Sequence, residues 1–242
     1  MKNTLSGLKI CKGEYVKPIS PGDFLYDEHT LFSAYKQIKT STGAVFFGRC
    51  AYYSNEGDNL TVYKDKMNPF DVRPYLQQNY KQIRKNYFLN MDFITGAAAI
   101  YKKEVFAQYL KEVSACGVEF AEDLTMMYML SNKVQIEYLT NVQGGGICYY
   151  EFGTGISTNG NSAWEKRLQN DNENIFSLLY RKKLIAKWIF DLHITKSWVR
   201  RQLIKLLHAP SLLLRRFTDV RKLRGYEDLN LNLDALKKIL EA

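Results

Sequence analysis

Phe120-Ala121-Glu122-Asp123-Leu124-Thr125-Met126-Met127-Tyr128-Met129-Leu130 is the stretch on which the reading of this chain turns. Two adjacent carboxylates precede an apolar run in which Leu124, Met127, Tyr128 and Leu130 lie roughly on one helical face. The N–H groups of a helix's first turn lack partners and the dipole is positive there, so acidic residues favour that place. On these residues alone, Glu122 and Asp123 start a core-packing helix. The flanks open a second reading, in which the pair does chemistry.

Downstream, Gln135-Ile136-Glu137-Tyr138-Leu139 alternates with period two and predicts a strand. Gly144-Gly145-Gly146 is a turn that fits neither a dinucleotide nor a P-loop pattern, so no phosphate cradle is read from it. Tyr149 to Thr158 reads as a glycine-rich closing loop, and Asn159-Gly160-Asn161-Ser162 as a linker. From Trp164 onward apolar residues keep helical spacing: Ile175, Leu178 and Leu179, then Ile185, Trp188, Ile189 and Leu192, then Val199, Leu203, Leu206 and Leu207. Pro210 breaks the run, and Leu233 to Leu240 predicts a last helix.

Upstream, Lys102 to about Val113 predicts a helix, preceded by Met91 to Tyr101, two short strands around the small residues Gly96-Ala97-Ala98-Ala99. Small side chains there allow close approach of another backbone or of a ligand. Tyr75 to Leu89 is helical in character, and residues 54–74 read as a loop or short hairpin. Ala44 to Tyr53 is rich in β-branched and aromatic residues, with Gly48 its one breaker, and predicts a strand. Tyr26 to Ile38 predicts a helix with Leu31, Phe32, Tyr35 and Ile38 on one side. Residues 3–12 predict the end of a short helix. Tyr15-Val16 and Ile19 read as a strand broken by Pro18, and Ser20-Pro21-Gly22-Asp23 as a turn by composition.

At 242 residues with 46% hydrophobic content, the chain can bury a sizeable core. It has neither a run of apolar residues long enough to span a membrane nor a signal-peptide start, so a cytoplasmic location is the default. Cys11, Cys50, Cys116 and Cys148 form no Cys-x-x-Cys pair and do not space with His29, His193 or His208 as ligands. Buried thiols without structural zinc are expected. The net charge of +9 is uneven: residues 1–159 carry 17 Lys+Arg against 16 Asp+Glu, residues 160–242 carry 17 against 9. That excess admits three readings: a solvated face, docking on an anionic membrane surface, or nucleic-acid binding. The sequence has no recognised nucleic-acid motif, so nucleic acid is not expected as a partner.

The order of these pieces resembles the later part of a family 2 glycosyltransferase with the GT-A fold. Gly13 to Asp23 looks like the strand and loop that end in the family's metal-binding Asp-x-Asp segment. Phe93 to Phe106 looks like the strand beside the acceptor site and its following helix. Glu122-Asp123-Leu124 matches the acidic motif whose aspartate is the catalytic base, and Tyr149 to Thr158 stands in the place of the closing loop. The resemblance covers about residues 3–158. It implies an α/β, Rossmann-like, mostly parallel sheet, so the expected organisation is a GT-A portion over 1–158 and a basic helical appendage over 159–242. Two positions depart from the pattern: only Asp23 remains of the aspartate cluster, and Phe152 stands where a histidine is common.

The family's first strand, helix and strand, which hold the nucleoside, have no counterpart ahead of residue 3. The expectation is a truncated or split frame that binds no nucleotide sugar tightly by itself and works with the missing half in trans. An inactive remnant or non-catalytic interaction fragment is the alternative.

What the resemblance implies chemically is inverting sugar transfer from a nucleotide-sugar donor to a glycan or lipid-linked acceptor, as in cell-surface polysaccharide synthesis. Asp123 is the implied base, since a carboxylate in reach of the acceptor hydroxyl suits that task. Glu122 is its orienting neighbour, and Thr95, Gly96 and Ala97 lie near the acceptor. Asp23 is the implied ligand of Mg²⁺ or Mn²⁺, both of which prefer oxygen. Such an enzyme would sit in the cytoplasm or peripherally at the cytoplasmic face of the membrane.

Overall fold

Val45-Phe46-Phe47 is buried on both faces, and both sides of the architecture pack on it. A strand of large apolar residues with no polar face has to be covered on each side, so it takes the inside of a sheet. The computed structural model describes residues 1–56, 59–63, 66–140, 142, 146–153, 162–214, 224–225 and 233–241. Within them the chain runs α1 (Lys2–Ile10), β1 (Tyr15–Val16), β2 (Phe24–Leu25), α2 (Thr30–Ile38), β3 (Val45–Phe47), β4 (Arg49–Glu56), β5 (Asn59–Tyr63), α3 (Arg73–Leu76) and α4 (Tyr80–Asn90). A 3₁₀ turn over Gly96–Ala98 leads into β6 (Ala99–Lys102), then α5 (Lys103–Ala115), α6 (Leu124–Ser131), β7 (Ile136–Tyr138) and β8 (Gly146–Glu151). Helices α7 (Ser162–Arg181), α8 (Lys187–Ile194), α9 (Trp198–His208), α10 (Ser211–Leu214) and α11 (Leu233–Glu241) follow.

The class is α/β, with two mixed sheets of four strands each, ordered β1-β6-β3-β7 and β2-β8-β4-β5. The pairs β3–β7 and β4–β8 are parallel, and the other four are antiparallel. The described strands therefore do not form the mostly parallel sheet that was expected. The antiparallel pairs need no crossover helix, and β4 returns directly as β5. Gly48 alone separates β3 from β4, so one strand path crosses from the first sheet to the second. A Cβ on Gly48 would lie 2.9 Å from Ile147 Cβ, which accounts for glycine at that crossing.

One side of the first sheet carries the larger core. α5 contributes Phe106, Leu110 and Val113, and α4 contributes Ile83, Tyr87 and Phe88. α6 is buried all round from Leu124 to Ser131, not along one face as its periodicity predicts, because helices and sheet enclose it. Phe46 faces the other core with Ala34 and Ile38 of α2. Leu31, Phe32 and Tyr35 of that helix, expected to share a side with Ile38, are instead exposed.

Two further expectations change. Tyr149-Tyr150-Glu151 belongs to strand β8 rather than a loop, paired to β4, while 154–158 and most of the expected linker lie outside the described residues. Met91 to Thr95 forms no strand. Beyond the expected boundary at 158/159, Ile175, Phe176, Leu178 and Leu179 of α7 pack in the same core as β3 and α6.

Candidate active site

Asp123 stands at the N-cap position of α6 with helical backbone angles, but its side chain makes no capping hydrogen bond. It opens instead into a cleft of about 460 Å³. The expected site residues Asp23, Thr95, Gly96, Ala97, Glu122 and Asp123 all line this one cleft, together with Phe152. The helix-start reading thus holds for the backbone, while the carboxylate is turned to the cavity.

The loop bearing the carboxylates is held from below by α7. Asp171, 1% exposed, accepts the Glu119 N–H at Oδ1 (2.9 Å) and the Phe120 and Ala121 N–H groups at Oδ2 (2.9 and 3.0 Å). Three N–H groups converging on one carboxyl group make a strong, directional clamp. Trp164, also on α7, packs edge-on to Phe120 with centroids 4.9 Å apart and lines the cleft.

The opposite wall comes from the 3₁₀ turn and the second sheet. Thr95 Oγ1 and Tyr52 Oη are hydrogen-bonded, tying β4 to the turn. The Ala97 carbonyl accepts from Lys17 Nζ and from Cys148 Sγ. Gly96 permits a close approach: a Cβ there would lie 3.3 Å from Asp123 Cβ. Tyr52, Tyr150 and Phe152 group their rings on this wall, and Lys66 Nζ lies 3.7 Å from the Phe152 centroid. Phe152 thus carries a neighbouring cation on its ring.

Water reaches Asp123 from the cleft, yet protein encloses it on its other sides. That desolvation, then the Glu122 charge, with Asp171 as a smaller contribution, raises its pKa to about 6, against the lowering effect of the Asp123 and Leu124 N–H groups. Desolvation followed by the Asp123 and Glu122 charges raises the phenol of Tyr101, also in the cleft, above its ordinary value. Tyr101 is therefore neutral at physiological pH.

Asp23 is buried. Oδ1 accepts the Glu151 N–H at 3.2 Å, and Oδ2 is buried with no hydrogen-bond partner. Burial raises its pKa, opposed by the N–H groups of Glu151 and Ser20 and by the Lys17 charge. Among the described residues no group of three or more His, Cys, Asp or Glu side chains gathers as a metal cluster. A single orphaned carboxylate oxygen fits Mg²⁺ or Mn²⁺ when waters and substrate phosphates supply the other ligands. All four cysteines are free thiols. Cys50 and Cys148 are buried with their sulfurs 3.3 Å apart, Cys116 is partly buried, and Cys11 is exposed, contrary to the expectation for it.

Asp171, Trp164, Tyr52 and Lys17 were not singled out from the sequence. Each acts across a long separation. Comparison with known proteins matches the chain to no family model and to no curated protein.

Proposed function

We propose that this chain carries the acceptor side and the catalytic base of a GT-A-type glycosyltransferase of family 2 character. It transfers a sugar with inversion from a nucleotide-sugar donor to a glycan or lipid-linked acceptor. The observation that carries this reading is convergence: four separate blocks, represented by Asp23, Thr95 to Ala97, Glu122 with Asp123, and Phe152, line one cleft.

In the reaction the acceptor oxygen bonds to the anomeric carbon as that carbon's bond to the donor phosphate oxygen breaks. The hydroxyl proton passes to the Asp123 carboxylate, and the nucleoside diphosphate leaves with the bonding electron pair. A base with a pKa near 6 is ionised at neutral pH and basic enough to take that proton. Glu122 raises this basicity and offers a second contact to the acceptor. The aromatic walls, Tyr150 and Trp164 among them, give the sugar rings apolar faces to lie on. Asp23 Oδ2, with the donor's phosphate oxygens, is the ligand this chain offers to Mg²⁺ or Mn²⁺, which would neutralise charge on the leaving diphosphate.

The test is transfer from UDP- and GDP-sugars, assayed with the chain alone and with the nucleoside-binding segment that the resemblance implies added in trans. Acceptor-dependent release of nucleoside diphosphate is expected in the complemented form, and Asp123→Asn should reduce it about 10²-fold or more. Release unaffected by Asp123→Asn would remove Asp123 from the role. No transfer in either form would overturn the enzyme reading in favour of a non-catalytic fragment.

A further inference from the structure

Helix α9 wears its apolar side outward. Val199, Leu203, Leu206 and Leu207 share one face, and between 53 and 75% of each is open to solvent. Trp198 at the helix start is 61% exposed, and no residue of α9 is buried. Away from that face, Gln202, Ile204 and Lys205 are partly buried, and Arg201 Nη2 donates to the Thr195 carbonyl at 2.8 Å. An amphipathic helix that packs on a core has the reverse arrangement.

The helix is braced in this attitude. Ser197 caps its start, accepting the Arg200 N–H at 3.3 Å, and His208 at its end stacks on Trp188 of α8 with centroids 5.1 Å apart. The surroundings are cationic: Lys196, Arg200, Arg201 and Lys205 fall between Leu192 and Leu214, a span without Asp or Glu.

We propose that α9 docks on an anionic lipid surface, lying in the interface with Val199, Leu203, Leu206 and Leu207 in the acyl boundary and the exposed Lys196 and Arg200 on headgroup phosphates. Charge complementarity selects this occupant. A second copy of the chain packed on the same face would bring these cations against one another, whereas anionic headgroups pair with them. An 11-residue helix rises about 16 Å, too short to cross a bilayer and suited to lying along its surface. No described helix is long and apolar enough to cross a membrane. The docking does not depend on the reading of the cleft.

Vesicle flotation of the full chain tests it, using phosphatidylcholine alone and phosphatidylcholine with phosphatidylglycerol. The chain should float with the anionic vesicles only, and the bound fraction should fall as salt is raised. Leu203→Glu with Leu206→Glu, and separately Lys196→Gln with Arg200→Gln, should each weaken binding about tenfold or more. Since α9 has no buried residue and Lys196 is exposed, both variants should keep the wild-type melting temperature, and the salt dependence of the unaltered chain tests the docking without them. Equal binding to neutral vesicles, no binding to anionic ones, or binding indifferent to both pairs of substitutions would overturn the proposal. So would a dimer in light scattering that the Leu→Glu pair dissolves, which would give the face to a second copy.

Discussion

Asp171 Oδ2 accepts the N–H groups of both Phe120 and Ala121, so a residue on α7 sets the loop that presents Glu122 and Asp123 about fifty positions earlier in the chain. Asp171→Ala would leave three part-buried N–H groups without their acceptor. We expect a loss of about 3–5 kcal/mol, read from urea unfolding. Asp171→Asn, which keeps one acceptor oxygen, should lose less. Unfolding midpoints equal to wild type in both would show that the clamp is replaceable by water.

The Asp123 carboxyl should titrate near pH 6 by carbon NMR, and Glu122→Gln should lower that value by removing the neighbouring negative charge. The raised pKa also has a stability consequence. Between the ordinary carboxylate value of 3.8 and about 6, the folded chain binds a proton that the unfolded chain releases. Stability from this group is therefore full at low pH and is lost as pH rises through that window. Asp123→Asn should accordingly be more stable than wild type at pH 7, by about 1 kcal/mol once water in the open cleft is allowed for, with the gain shrinking toward pH 4. A gain independent of pH would contradict this account.

Gly96→Ala places a methyl group 3.3 Å from Asp123 Cβ. Such crowding can be relieved by small shifts, so the fold should lose less than about 1.5 kcal/mol. The same shifts move the carboxylate, and turnover in the complemented transfer assay should fall about tenfold or more with little change in melting temperature. Unchanged turnover would show that the loop absorbs the methyl group without moving Asp123.

Phe176, buried on α7, stacks on the His193 ring at 4.0 Å and packs with Phe88. Phe176→Ala should cost about 3–5 kcal/mol and shift one cooperative transition. Two separate transitions, with only the later one altered, would mean that α7 folds apart from the sheet.

Local signals made part of the site legible. Glu122-Asp123 before an apolar run, the aspartate of Ser20-Pro21-Gly22-Asp23 and the small residues at 96–98 are each recognisable within a few positions. Asp171, Trp164 and Lys17 are not, because what defines them is a contact 50, 44 or 80 positions away. The strand over Tyr149 to Glu151 was within reach: Ile147-Cys148-Tyr149-Tyr150 is β-branched and aromatic, but the glycines around it suggested a loop. The burial of α6 on every side could not be read from periodicity, which reports one face and not how many neighbours surround a helix.

Gly48 sets a limit on how this sequence can change length. β3 and β4 form one path bent at that single residue, and Tyr52 reaches Thr95 only because four positions separate it from the bend. One residue inserted or deleted between Gly48 and Tyr52 would turn every later side chain of β4 to the other face, Tyr52 away from the cleft among them. Relatives of this protein that keep the cleft should therefore keep that spacing, and should absorb their insertions beyond Glu56, before β5 begins.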